Sequence, residues 1–193
     1  MSELPARSET LRQLRSRLPK LPDPLEIIAE QVLGLESRID FVAKDSRGQV
    51  VLVFLADRGS DLGLLADSLA QRSWMEPRVA DWVKLAPHLG LRPQLGVRVL
   101  LLASHLDPRT IAAAKSLEGH IAGPERRILG PDRRILGPER RILDLGICRP
   151  VRNGAGLEIL IDLLESPPPT RVPAAEPVTS RFRTGLRAED LGS

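Results

Sequence analysis

The chain has 193 residues, 42% of them hydrophobic but only 3% aromatic, with no tyrosine and a net charge of +3. Such a length suits one domain with tails, and so small a charge excess does not suit a long basic track along nucleic acid. The single cysteine, Cys148, excludes an internal disulfide framework and a cysteine-based zinc site.

The N-terminus is charged from the start and lacks the apolar run of an ordinary signal peptide. No stretch approaches the ~18 consecutive apolar residues of a membrane span. The expectation is therefore a cytoplasmic protein of bacterial type. Of its 28 basic residues only Lys20, Lys44, Lys84 and Lys115 are lysines.

Residues 8–18, SETLRQLRSRL, place Leu11, Leu14 and Leu18 at helical spacing among Arg12, Arg15 and Arg17. This predicts a short basic amphipathic helix, packed on its own domain or held against a membrane surface or an acidic partner, and Pro19, Pro22 and Pro24 break it. LEIIAEQVL (25–33) carries Leu25, Ile28, Val32 and Leu33 at a spacing that predicts a second helix. SRIDFVA (37–43) then alternates, KDSRG supplies a turn with Gly48 free to take a positive φ, and QVVLVFLA (49–56) is apolar throughout. Together they predict a hairpin whose second strand is covered on both faces.

A helix follows at 61–72, with Leu62, Leu65, Ala66 and Leu69 inward, and another starts at Pro77, carrying Val79, Trp82, Val83 and Ala86. GVRVLLLAS (96–104) is a second buried strand. Asp107 and Pro108 read as an N-cap and first helical residue, opening a helix through Ile111, Ala114 and Leu117 that Gly119 ends. LDLGICRPV (143–151) and GLEILIDLL (156–164) read as strands joined by RNGAG. From Ser166 a Pro-rich tether carries a last segment, RFRTGLRAEDL (181–191), whose Phe182, Leu186 and Leu191 are candidates for docking a protein partner. The boundaries expected are 1–24 for a basic helix and linker, 25–165 for the main domain and 166–193 for the tail. Helices interleaved with buried strands predict an α/β fold, an αβα sandwich around a central mixed sheet.

Residues 123–143, GPERRILGPDRRILGPERRIL, repeat seven residues three times with one Glu-to-Asp change. Proline every seven residues, preceded by glycine, limits each unit to about one helical turn. The repeat holds six arginines (Arg126, Arg127, Arg133, Arg134, Arg140, Arg141) and three acids, 6 − 3 = +3, so the rest of the chain is formally neutral. It reads as an insertion in a surface loop, a duplication tolerated there. Its functional alternative is an arginine-rich arm for nucleic acid or another anion.

The element order, with ESRIDFVAKDSRGQVVLVFLA at 36–56, resembles the PD-(D/E)xK nuclease superfamily, in particular its NucS-type C-terminal and TnsA-like endonuclease domains. The resemblance covers about 25–118 and 143–151. It implies a restriction-endonuclease-like sandwich in which a helix acid, an Asp on the first hairpin strand and a (D/E)-x-K on the second converge on Mg²⁺. The metal takes oxygen ligands and polarises the phosphate, while the Lys neutralises charge.

Carried over, Asp40 matches the first-strand Asp, and Glu30, or less well Glu26, matches the helix acid. The acid and Lys positions of the second strand fall on Phe54 and Ala56. Where relatives carry Gln-x-x-x-Tyr on the next helix, this register gives Asp67 and Gln71. Asp57 has the opposite parity to Phe54 and Ala56, and Lys44 lies roughly 13 Å along the strand from Asp40. Arg58 cannot serve as a base, and Glu36 offers a further ligand but no cation.

His88, His105 and His120 lack ligand-spaced partners, so no metal and no cofactor is expected. Trp74 and Trp82 read as packing residues, and Cys148 as a small buried hydrophobe. The resemblance thus implies a degenerate, non-catalytic nuclease-like module that binds or scaffolds, with nucleic acid a candidate partner. Two alternatives stand beside it: an active Mg²⁺-dependent endonuclease using Asp40, Glu30 and Glu36, and a protein–protein adaptor without nucleic-acid contact.

Overall fold

The computed structural model describes residues 6–35, 37–57, 59–121, 142–153 and 156–164. Its centre is a pair of parallel strands, β3 (Val50–Leu55) and β4 (Val97–Ala103), every residue of which is buried or nearly so. Continuous apolar runs of this kind are stable only when both sheet faces are covered. Around them the sheet is β1 (Glu26–Leu33), β2 (Arg38–Lys44), β3, β4, β5 (Leu143–Asn153) and β6 (Gly156–Leu164), in that spatial order. Strands β3, β4 and β5 run parallel, and the two ends close with antiparallel pairs.

The connections decide the layers. Helices α2 (Asp61–Met75), α3 (Val79–Leu85) and α4 (Pro108–Ile121) lie between parallel strands. Leu65, Met75, Val79 and Ala114 from them pack in one layer with Val50, Leu52 and Phe54 of β3 and Ala56 just beyond it. The opposite face, Val51, Val53 and Leu55, is covered by Leu14 and Leu18 in and just after helix α1 (Arg7–Arg17). The fold is the αβα sandwich with a mixed sheet that the element order predicts. The basic N-terminal helix is one of its covering layers.

Segment 25–33 departs from expectation: it is strand β1 rather than a helix, paired antiparallel with β2. Its register slips between Ile27 and Ala29, and Gln31 sits at φ 52°, in the left-handed region. The irregularity sends Ile28, Ala29 and Val32 to the same apolar layer, a spacing that imitates a helix face. Helix α2 runs on to Met75, and α4 continues through Gly119 to Ile121 rather than stopping there. In the β2–β3 turn Gly48 has φ 85°, and a Cβ would lie 2.5 Å from the Gly90 carbonyl oxygen, so only glycine fits.

Residues 122–141, with all six repeat arginines, lie outside the described residues, as does the tail from 165 that carries 181–191. The last two residues of the third repeat unit are described, and they are not loop. Ile142 and Leu143 are buried, and Leu143 opens β5 opposite Val99.

Candidate functional site

Strands β2 and β3 pair from Lys44–Val50 up to Phe41–Val53 and then part. Beyond that point Leu55 of β3 still needs partners on its β2 side, because a buried backbone N–H or carbonyl left unpaired costs about 1–3 kcal/mol. Two side chains replace the missing strand. The buried Asp40 carboxylate accepts the Leu55 N–H through Oδ2 at 2.8 Å, and the Arg7 guanidinium donates to the Leu55 carbonyl at 2.9 Å.

The same guanidinium holds three carboxylate oxygens. Its Nη2 lies 3.0 Å from both oxygens of Asp40, and Nη1 lies 2.7 Å from Oδ1 of Asp57. Asp40 is 4% exposed, Arg7 42% and Asp57 75%, so the cluster runs from the core to solvent. Burial alone would lower the Arg7 pKa, but the Asp40 charge and the bonds to both carboxylates outweigh it and hold it above the ordinary arginine value. Gln31 completes the surroundings, its amide 3.4 Å from Asp40 Oδ1.

Asp40 thus stands where the β2–β3 pairing ends, and the other matched positions do not join it. Phe54 and Ala56, 0% and 8% exposed, are packed in the apolar layer under α2–α4. Reading β3 from its other face gives Val53, Leu55 and Asp57, which again contain no acid-x-Lys. Glu30 is on a strand rather than a helix, and Arg15 of α1 holds it at 3.0 Å. Lys44 is committed at the far end of the hairpin, donating to the Leu89 carbonyl at 2.8 Å and pairing with Glu26 at 3.1 Å. Glu36 and Arg58 lie outside the described residues.

Gln71 has a structural use: its Oε1 accepts the Leu35 N–H at 3.0 Å and its Nε2 donates to Ser37 Oγ at 3.0 Å, tying the β1–β2 loop to α2. Trp74 and Trp82 pack against the α2–α4 layer, with the Arg78 guanidinium 4.2 Å from the Trp74 ring centre. Cys148 is 2% exposed, and burial pushes its thiol up to about 11, which removes the thiolate from neutral pH.

The donor set was tested for a divalent ion. Hard cations want several free oxygens, and here both oxygens of Asp40 already accept from Arg7, while Glu30 is paired with Arg15. These residues do not fit the metal in this arrangement. Among the described residues no group of three or more His, Cys, Asp or Glu stands together as a metal site.

A cleft of about 440 Å³ opens nearby, where β3 and β4 end, lined by Gly59, Asp61, Ser104, His105 and Asp107. Its acids serve the backbone. Asp61 accepts the Asp107 N–H at 2.7 Å, and Asp107 caps α4 through the Arg109 N–H at 2.8 Å. Burial pushes the Asp61 carboxyl up, but its hydrogen bonds, first that from Asp107, outweigh this and hold it below the usual carboxylate value.

Asp57 was set aside from the sequence because its parity opposes Phe54 and Ala56, and Arg7 was not readable at all. Arg7 reaches Asp40 across 33 positions and has no local pattern to mark it.

No family model matches the chain, and no curated protein matches it. Two solved structures resemble it. One is the crystal structure of a repair endonuclease from Pyrococcus abyssi, at 14% identity and a TM-score of 0.44, covering 60% of this chain and 46% of that one. The other is a complex of EndoMS with double-stranded DNA, at 14% identity and a TM-score of 0.35, covering 60% and 44%. The chain therefore spans less than half the length of either.

Proposed function

We propose that this is a degenerate nuclease-like domain of restriction-endonuclease type that works by binding rather than by cutting. The observation that carries the reading is the burial of Phe54 and Ala56 in the apolar layer. Phosphodiester hydrolysis by a metal-dependent nuclease needs a carboxylate to share the metal with the hairpin Asp, and a cation to balance charge as the phosphate is attacked. The hairpin Asp is present as Asp40, but neither β3 position supplies its partners, and each is filled by a group that cannot ligate or donate.

Nucleic acid is the first partner to test, because the repeat, with six arginines against three acids, carries the whole net charge of +3. Binding of DNA and RNA by the intact chain, and by a chain lacking 123–141, is measured across a salt series. Leaving Ile142 and Leu143 in place preserves the start of β5. The reading expects binding that weakens steeply with salt and is largely lost without the repeat. Binding that is absent, or indifferent to both salt and the deletion, replaces nucleic acid with a protein partner.

A further inference from the structure

Four oxygens converge on one guanidinium: both carboxylate oxygens of Asp40, Oδ1 of Asp57 and the Leu55 carbonyl, all within 3.0 Å of Arg7. They come from β2, from the last residue of β3 and from the second residue beyond it, while the cation comes from the first residue of α1. A hard divalent ion selects oxygen donors of this kind.

We propose that Arg7 is the resident cation of this corner and that α1 is a strap that keeps metal out of it: its guanidinium and a divalent metal ion compete for the same oxygens. The strap is anchored along its length. Leu14, and Leu18 just past its end, are fully buried. Arg15 pairs with Glu30, and Arg17 pairs with Glu158 at 3.4 Å while donating to the Ile159 carbonyl at 2.9 Å. Docking α1 therefore delivers Arg7 to Asp40 without a separate ordering step. Because Arg7 is itself half exposed, its guanidinium can be removed without opening the core.

This rests on the reading of Asp40 as a vestigial metal ligand, but it concerns ion binding and not cleavage, so the two fail separately. The probe is Mn²⁺ alone, followed by loss of its free electron-spin signal in the full-length chain. Wild type is expected to bind negligibly at millimolar Mn²⁺. Arg7→Ala is expected to bind at least tenfold more tightly, Arg7→Lys to behave as wild type, and Arg7→Ala with Asp40→Asn to lose the gain.

If Arg7→Ala does not fold, wild type still gives an answer. Millimolar Mn²⁺ should leave the Leu55 amide resonance unbroadened, whereas selective broadening there shows the metal entering beside Arg7 and overturns the proposal. A folded Arg7→Ala that binds no more Mn²⁺ than wild type also overturns it, reducing the contact to a structural ion pair. Cleavage of DNA by Mn²⁺-loaded Arg7→Ala would contradict the non-catalytic reading while leaving the strap intact.

Discussion

The two ends of the sheet each hold an arginine among aspartates, and they differ in which element supplies it. At the hairpin-turn end Arg98 comes from the start of β4, a central strand, and is 11% exposed. It reaches Asp23 at 3.0 Å, Asp144 at 3.3 Å and Asp45 at 3.9 Å, and the Asp45 side chain is fully buried. Asp45 also accepts the backbone N–H groups of Arg47 and Gln49, both at 2.9 Å, which closes the β2–β3 turn. At the other end Arg7 comes from the first turn of a surface helix and stays half exposed. A cation fixed in a core strand can only be a staple. On the strap proposal the one delivered by a peripheral helix is exchangeable, which the Mn²⁺ titration tests.

Substitutions should break that comparison in graded fashion. The largest effect is expected for Arg98→Ala, which removes the mostly buried cation joining Asp23 at 3.0 Å and Asp144 at 3.3 Å, while Asp45 keeps Arg47 at 3.0 Å. Removing one side of a buried pair costs about 3–5 kcal/mol, and the contacts that Asp45 keeps put this loss at the lower end, about 3 kcal/mol, read as a lower urea midpoint. A loss below ~1 kcal/mol would mean the cluster is hydrated and not a staple.

Asp40→Ala comes next. It strands the buried Leu55 N–H and removes two of the four acceptors of Arg7, with an expected cost of about 2 kcal/mol. Arg7→Ala should cost less, about 1 kcal/mol, since water reaches the carboxylates it leaves. Asp57→Ala, at the exposed end of the same cluster, should fall within about 0.5 kcal/mol of wild type. Equal losses at Asp40 and Asp57 would show that burial does not rank the two carboxylates.

The smallest effect lies away from both ends. With its thiol pushed up to about 11 from 9.0, Cys148 stays neutral in the folded state over a range where the unfolded chain ionises. Stability from this group is intact below pH 9 and declines as pH rises from 9 to 11. Cys148→Ala should flatten that limb, and a thiol reagent at pH 8 should react with wild type only on unfolding. Rapid labelling of the native protein would contradict the burial.

What the sequence made legible follows from what is periodic. The runs 50–55 and 97–103 are apolar without a break, so a strand covered twice was the direct inference, and the layers follow from the helices between them. Segment 25–33 misled because a bulge and the left-handed Gln31 disrupt alternation and set Ile28 and Val32 four apart. Asp40 was found because it stands in a hairpin whose turn is marked by Gly48. Arg7 was not, since a pairing across 33 positions leaves no trace in spacing. The repeat's end overlaps the strand that the sequence predicts at 143–151: Ile142 and Leu143 have the letters of a repeat unit and are buried, and Leu143 opens β5.

The central proposal, that the Asp40 corner does not perform phosphodiester hydrolysis, is tested most directly by a nuclease assay. The full-length chain is incubated with single- and double-stranded DNA in Mg²⁺ or Mn²⁺, with Asp40→Ala in parallel. The account predicts no cleavage above background from either protein; cutting by wild type that Asp40→Ala abolishes would contradict it.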